Sequence, residues 1–212
     1  MSGPVIAIDG TAASGKGTLA RRLADHYGLP HMDTGAIYRA CAKRLLDAGG
    51  DPDDPDDAER AAGAVTPADL DDPGLRTDAV AQAASKVSAV PGVRAALLAL
   101  QQDFAARPGG AVLDGRDIGT VVCPGADAKI FVTAETAVRA RRRFEELRAR
   151  GETVIYDAVL QDMEARDARD SRRSVAPLRP ADDALVLDTS TLSPDAVFER
   201  ARAFVEGKTG RL

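Results

Sequence analysis

The alternation of apolar and polar positions along the chain predicts strands and helices in turn. Short apolar runs bounded by glycine, proline or acidic residues are typical of buried strands. Such runs occur at Val5–Ile8, His31–Met32, Ala111–Asp114, Lys129–Val132 and Ala184–Asp188. Between them lie longer stretches in which apolar residues recur at helical spacing, so the sequence predicts strands that alternate with helices.

Start and stop residues bound the predicted helices. These helices cover about Lys16–Tyr27, Thr34–Gly49, Thr77–Ser88, Pro91–Phe104, Glu135–Arg150, Val154–Arg173 and a last helix that Ser193 or the residues before it cap. Thr34 is expected to cap the helix that it begins. The segment Asp51–Asp57 is acidic and interrupted by prolines, so it is expected to be a solvated loop, with irregular chain until about Leu75.

This order of elements predicts an α/β fold in which helices flank a parallel five-stranded sheet. Ligands of such folds bind at the carboxyl ends of the strands. No internal repeat or low-complexity linker divides the 212 residues. We therefore expect one domain that covers residues 1–212.

A glycine-rich segment joins the first strand to the first helix. It contains, in order, Gly10, Thr11, Ala12, Ala13, Ser14, Gly15, Lys16, Gly17 and Thr18. Small residues let successive backbone N–H groups point into one concavity, and the helix N-terminus adds partial positive charge. Lys16 adds a full positive charge, and Thr18 adds a hydroxyl near the metal ion that accompanies a bound polyphosphate. The segment is therefore predicted to bind a polyphosphate.

Composition and charge narrow the class of protein. Hydrophobic residues make up 44% of the chain and charged residues 29%, as in ordinary globular proteins. No apolar run approaches the ~20 residues of a membrane span, and Met1–Pro4 lacks the basic start of a signal peptide, so a cytoplasmic protein is expected. The formal net charge of −5 argues against a dedicated nucleic-acid binder. Cys41 and Cys123 are too few for a disulfide framework.

Arginine is concentrated in two places although the chain is acidic overall, at Arg139–Arg150 and Arg166–Arg179. Such clusters suit a compact polyanion, whereas the alternative is two solvated helix faces that carry ion pairs. Arg166, Asp170 and Arg173 recur at helical spacing and share one face.

Acidic and basic side chains also follow the predicted strands. Asp114 ends a buried strand, where it is expected to hold Mg²⁺ directly or through water, although a turn aspartate is the alternative. Asp9 is a second candidate, for which fixing loop backbone is the favoured role. His26 and His31 are expected to be structural. Many arginines and no Ser-His-Asp or Cys-His arrangement favour phosphoryl transfer by positioning and charge.

Four motifs in this chain carry a family resemblance. They are Ile8–Gly10 with Gly15–Thr18, the run Asp33–Arg39, the run Asp114–Val122, and Arg166–Asp170 with Val175–Leu178. In this order they resemble the bacterial cytidylate kinases, which are P-loop nucleoside monophosphate kinases. The resemblance implies transfer of a phosphoryl group from ATP to CMP or dCMP with Mg²⁺. It also implies a monophosphate-binding region at about residues 34–95 and a mobile lid at about residues 142–160.

The resemblance assigns roles to individual residues. It assigns ATP binding to residues 10–18 and to Arg142 and Arg143, which would be arginines of the lid. It assigns CMP binding to Thr34, Arg39, Ser85, Arg94, Arg116, Asp117, Arg166, Asp170 and Arg173. Within that set Ser85, Arg94 and Asp117 read the cytosine, Arg39, Arg116 and Arg173 hold the monophosphate, and Arg166 and Asp170 face the ribose. Lys16, Asp114, Arg116 and Arg173 are the implied catalytic residues, and the metal falls to Asp114 and Thr18.

The chain departs from the family pattern in three places. In the phosphate-binding segment, Thr11 and Ala12 replace the usual Pro and Ser. Thr34 replaces a usual Ser. The segment from Gly49 to Leu75 is shorter than in the long bacterial form, which carries a small extra sheet there. A kinase for UMP or AMP is the nearest alternative function, and an ATP-binding switch without phosphoryl transfer is another. A monomer that binds neither nucleic acid nor a membrane is expected.

Overall fold

The apolar runs form the strands of one parallel sheet in the computed structural model, which describes residues 3–210. The strands are β1 (Val5–Gly10), β2 (His31–Asp33), β3 (Ala111–Gly115), β4 (Ala128–Thr133) and β5 (Leu185–Asp188). Their order in the five-stranded sheet is β2-β3-β1-β4-β5. Strand β1 pairs in parallel with β3 and β4, and β4 pairs in parallel with β5. The predicted α/β class and five-stranded sheet are therefore confirmed.

Eight α-helices accompany the sheet in the described residues. They are α1 (Lys16–Tyr27), α2 (Thr34–Asp47), α3 (Pro55–Gly63), α4 (Asp78–Val87), α5 (Pro91–Ala105), α6 (Thr136–Ala149), α7 (Tyr156–Ser171) and α8 (Pro194–Thr209). Short 3₁₀ turns cover Pro67–Asp71 and Pro73–Arg76, and one π-helical turn covers Ile118–Val122. Except for α3, each helix is predicted to within a few residues of its observed bounds.

Two local predictions are wrong, for reasons of helix capping. The acidic loop is partly helical, because Asp54 caps α3 by accepting hydrogen bonds from the N–H groups of Asp56 and Asp57 at 2.9 and 3.4 Å. Proline is tolerated at the first helical position, where Pro55 lies. Asp33, not Thr34, caps α2, since its Oδ1 accepts from the N–H of Ala36 at 3.2 Å.

The chain divides into two compact units, and each has its own apolar core. The first comprises the described residues up to Met32 and those from Arg107 onward, and the second comprises Asp33–Ala106. In the first unit, β1 and β4 pack against α1 and α8 around Ile6, Leu23 and Ile130. The boundaries of the sequence-predicted monophosphate region and lid stay predictions.

The second unit is helical. Helix α2 packs against α3 and α4, and α3 packs against α5. In agreement with the sequence, no strand forms between Gly49 and Leu75. No single helix within residues 3–210 is long and apolar enough to span a membrane, and α4 and α5 pass that test only as a pair joined across a 102° bend.

Candidate functional site: a phosphate loop and two arginine clusters

The loop between β1 and α1 has the backbone geometry of a phosphate-binding turn. Gly15 has a φ of 91° and Ala13 a φ of 56°, both in the left-handed region. In the described structure no side chain caps the first turn of α1, so its N–H groups face outward from the helix end. The buried Oγ1 of Thr11 has no hydrogen-bond partner among the described residues. These donors fit the phosphate oxygens of a nucleotide.

Two side chains from other parts of the first unit hold the carbonyl group of Ser14 in the loop. Thr189 Oγ1 donates to Ser14 O at 2.9 Å. Arg142 Nη1 donates to Ser14 O at 3.5 Å, and its Nη2 donates to Thr189 O at 2.7 Å. Arg143 pairs with Glu146 at 3.2 Å within α6. The structure thus brings Arg142 to the loop, and closure of either arginine over ATP stays a prediction.

We expect alanine at Gly10 to destabilise the protein. Gly10 has a φ of +154°, and a Cβ there would lie 2.0 Å from the backbone oxygen of Val132, which cannot move without breaking the sheet. Gly10→Ala should lower the free energy of unfolding by about 1–3 kcal/mol, measured by urea unfolding. The control is Gly207→Ala in α8, where no atom lies within 4 Å of the added Cβ. Equal stability of the two variants would contradict the steric argument.

Asp114 lies at the carboxyl end of β3, next to the first turn of α1. Its Oδ2 lies 2.7 Å from His31 Nε2. Its Oδ1 lies 3.8 Å from the position that a Cβ of Gly17 would take, so the buried carboxylate faces the start of α1. Within residues 3–210 no three His, Cys, Asp or Glu side chains cluster as a metal site. Mg²⁺ is commonly held by one or two carboxylates together with substrate phosphates, so its binding at Asp114 stays a prediction.

His31 contributes to this site more than the sequence indicates. From the sequence His31 is expected to be structural, but its imidazole contacts one oxygen of the proposed metal-binding carboxylate. The contact depends on the sheet order, which puts β2 beside β3, and no local signal in the sequence reveals that order. The structure leaves Thr18 at the exposed start of α1, and its part in metal binding stays a prediction.

Asp9 fixes the segment that follows Arg116 and Asp117. Its Oδ1 accepts from the N–H of Ile118 at 2.7 Å, and its Oδ2 accepts from the N–H of Gly119 at 2.8 Å. The favoured backbone role therefore applies to this segment and not to the phosphate loop. Burial raises the pKa of Asp9 to about 7, although the two N–H groups lower it.

The raised pKa of Asp9 predicts a loss of stability as the pH rises. Between its ordinary pKa of 3.8 and about 7, the unfolded chain has released a proton that the folded chain keeps. The contribution of Asp9 to stability is therefore complete below the lower value and is lost as the pH rises through the higher one. Urea unfolding at pH 5 and pH 8 should show the wild type losing stability relative to Asp9→Asn. A constant difference between the two proteins would contradict the shift.

Asp170 brings two of the predicted phosphate-binding arginines together. Arg116 Nε donates to its Oδ2 at 2.9 Å, and Arg173 Nη2 donates to its Oδ1 at 2.5 Å. Burial alone raises the pKa of Asp170, but the charges of Arg116, Arg173 and Arg166 outweigh it and lower the pKa below its usual value. The carboxylate therefore stays ionised and orients both guanidinium groups. Whether Asp170 and Arg166 also face a ribose stays a prediction.

The second unit holds a separate group of predicted CMP-binding residues. Asp33 Oδ2 accepts from Arg39 Nη2 at 2.7 Å, which fixes the guanidinium beside the first turn of α2. Arg39 Nε is buried and has no hydrogen-bond partner among the described residues. The hydroxyl-bearing Thr34 begins α2 and is itself buried.

Ser85 and Arg94 lie close together in the second unit. Ser88 Oγ donates to Ser85 O at 3.1 Å, and Arg94 Nη1 donates to Ser88 O at 3.3 Å. The guanidinium carbon of Arg94 also lies 5.7 Å from the ring centre of Tyr38. The structure thus places close together the two residues of this unit to which the resemblance assigns the base, while Asp117 belongs to the first unit.

Comparisons with known proteins identify relatives over nearly the whole chain. A family model described as cytidylate kinase matches residues 6–206. A cytidylate kinase of Methylocella silvestris is 61% identical over 202 residues, which cover 95% of this chain and 94% of its own. One of Granulibacter bethesdensis is 57% identical over 207 residues, with coverages of 98% and 99%.

Solved structures share the fold at low sequence identity. An uncharacterized protein from Eubacterium ventriosum aligns with a TM-score of 0.57 at 15% identity, over 96% of this chain and 98% of that one. A gluconokinase from Sinorhizobium meliloti aligns with a TM-score of 0.51 at 16% identity, over 99% and 95% of the two chains. At these identities the likeness concerns the fold alone.

Proposed function

This chain belongs to the cytidylate kinase family, and we propose that it transfers the γ-phosphoryl group of ATP to CMP or dCMP, giving ADP and CDP or dCDP. The family implies ATP as the phosphoryl donor. The observation that carries the proposal is the pairing of Arg116 and Arg173 on the buried Asp170, in the same unit as the phosphate loop. A switch that only binds ATP has no need of a second cluster of oriented arginines.

Charge neutralisation is the main task of the proposed site. A phosphate acceptor is already anionic near neutral pH, so the reaction needs no general base and depends on positioning two mutually repelling polyanions. The N–H groups of residues 10–18 and Lys16 would hold the phosphates of ATP. Arg116 and Arg173 would hold the phosphate of CMP, with both guanidinium groups oriented in advance by Asp170.

Mg²⁺ is part of the same proposal. Asp114, directly or through water, and Thr18 would hold the ion, which when bound would neutralise negative charge on the phosphates of ATP. His31 would keep the carboxylate of Asp114 in one orientation through the 2.7 Å contact to its Oδ2. The Oδ1 of Asp114 faces the start of α1, where the triphosphate is expected.

Three residues are proposed to recognise the base, as the family resemblance implies. Asp117, buried at 4% exposure, would accept a hydrogen bond from the exocyclic amine of cytosine. Ser85 and Arg94 would donate hydrogen bonds to the acceptor atoms of the cytosine ring. Uracil carries an oxygen where cytosine carries that amine, so a carboxylate disfavours it. Thr34 and Arg39 would also bind the monophosphate, and Arg166 with Asp170 would bind the ribose.

Steady-state rates with CMP, dCMP, UMP and AMP test the base assignment. We expect kcat/KM to be highest for CMP and dCMP. Asp117→Ala should reduce the preference for CMP over UMP by at least about tenfold, since a lost hydrogen bond to a charged group is worth ~1.5–3 kcal/mol. A higher kcat/KM for UMP or AMP than for CMP would overturn the cytosine assignment. A folded Asp117→Ala that keeps full selectivity would remove Asp117 from base recognition.

Location, assembly and lid motion belong to the same proposal. The substrates are nucleotides of the cytoplasm, which supports a cytoplasmic enzyme, and the net charge of −5 supports the expectation that it binds no nucleic acid. We expect a monomer that acts without a membrane. The lid would comprise the end of α6, the residues around Gly151, whose φ is 82°, and the start of α7.

A further inference from the structure

Arg139 is a buried arginine that uses every donor of its guanidinium group. Its Nε donates to Ala134 O at 2.8 Å. Its Nη1 donates to Ala12 O at 3.3 Å and to Asp167 Oδ1 at 3.1 Å. Its Nη2 donates to Thr136 Oγ1 at 2.8 Å and to Asp167 Oδ2 at 2.5 Å. A guanidinium has five N–H donors, so none is left for a ligand.

These five bonds join separate parts of the first unit. Ala12 belongs to the phosphate loop, Ala134 follows β4, Thr136 begins α6 and Asp167 lies on α7. The bond to Ala12 comes from outside the loop and fixes a carbonyl group, whereas phosphate would be bound by N–H groups. The side chain of Arg139 is 3% exposed and that of Asp167 is 23% exposed. Arg139 therefore acts on the loop by holding its shape.

Helix α7 also carries the other charged cluster of this unit. Arg166 lies next to Asp167 on this helix, and Asp170, which orients Arg116 and Arg173, lies one turn further on. The planar fork of Arg139 matches the two oxygens of Asp167, a geometry that lysine cannot reproduce. A displacement of α7 would therefore disturb Arg139, whose Nη1 donates to Ala12 O.

We propose that Arg139 and Asp167 are positioning residues that couple the ATP-binding loop to the helix carrying the acceptor-side arginines. This inference rests on the proposed function and adds to it. Correct placement of α7 holds Arg139 by the bidentate pair, and Arg139 in turn holds Ala12. Neither residue touches a substrate in this scheme. Occupation of the loop and the position of α7 therefore depend on one another.

The variant that tests the coupling is Asp167→Asn, measured by calorimetric titration with ATP in the absence of CMP. Asp167 reaches the loop through Arg139, so a role limited to α7 would leave ATP binding unchanged. We expect the Kd of ATP to rise about tenfold, within the range of typical coupling between sites. Arg139→Lys should raise it by at least as much. The double variant should be little worse than Arg139→Lys alone, because both changes break one linkage.

Glu164→Gln is the matched control, since it makes the same carboxylate-to-amide change at an exposed position of α7. Its Kd for ATP should equal that of the wild type. An unchanged Kd in Asp167→Asn, or additive effects in the double variant, would overturn the proposal. If Arg139→Lys fails to fold, the Kd of ATP for Asp167→Asn is compared with that for Glu164→Gln, and this comparison is sufficient for the test. A wild type that binds ATP but does not phosphorylate CMP would contradict the proposed function and leave this coupling measurable.

Discussion

Lys16→Ala is expected to lower kcat/KM by about a thousandfold or more. Lys16 begins α1 directly after the left-handed Gly15, and it is the only lysine or arginine within residues 10–18 of the sequence. Alanine removes its positive charge where negative charge develops on the transferred group. Initial rates of ADP formation at saturating CMP, over a range of ATP concentrations, measure the loss.

An exposed lysine separates this effect from a general loss of charge. Lys208→Ala changes an exposed residue near the end of α8 and should keep the wild-type rate. Lys16→Ala should also unfold at nearly the wild-type urea concentration, because no apolar core is lost. A folded Lys16→Ala within tenfold of the wild-type rate would remove Lys16 from the mechanism.

Arg116→Ala is expected to reduce turnover of CMP by a factor of about a thousand, mainly through the acceptor side. Arg116 is held by Asp170 at 2.9 Å, and its removal takes away an oriented guanidinium without touching the phosphate loop. The Kd of ATP should therefore change much less than the KM of CMP. The same substitution leaves the buried carboxylate of Asp170 with a weaker set of partners, which should cost about 1–3 kcal/mol of stability.

Two further variants separate the loss of the planar guanidinium from a general loss of positive charge. Arg116→Lys keeps the charge but loses the planar fork, so it should recover stability better than turnover. Arg200→Ala, at an exposed position of α8, should match the wild type in both. Equal losses in the affinity for ATP and for CMP would contradict an acceptor-side role of Arg116.

Much of the fold follows from local sequence. Helix α1 has its predicted bounds because a glycine-rich loop precedes it and Gly28, with a φ of 64°, ends it. The strands are predictable because each is a short apolar run buried in a parallel sheet. Helix α3 is not predictable in this way, because it starts at the cap residue Asp54 within a segment whose prolines and aspartates are also typical of a loop.

Contacts between residues far apart in sequence account for what the sequence could not predict in the site. The clusters of arginine are visible in the sequence, as is the spacing that pairs Arg173 with Asp170, but the partners on other elements are not. Asp170 lies 54 positions from Arg116, and Asp114 lies 83 positions from His31. Both contacts depend on which elements the fold places side by side. The same limit applies to Asp9, whose partners Ile118 and Gly119 lie more than 100 positions away.

The most direct test of phosphoryl transfer is to follow the γ-phosphorus of labelled ATP with and without CMP. The account predicts that, with CMP present, the label appears in the β-phosphate of CDP in a one-to-one ratio with ADP. Without CMP, almost no label should leave ATP. Release of the label as inorganic phosphate at the same rate in both reactions would contradict the account, because the protein would then hydrolyse ATP without using the acceptor.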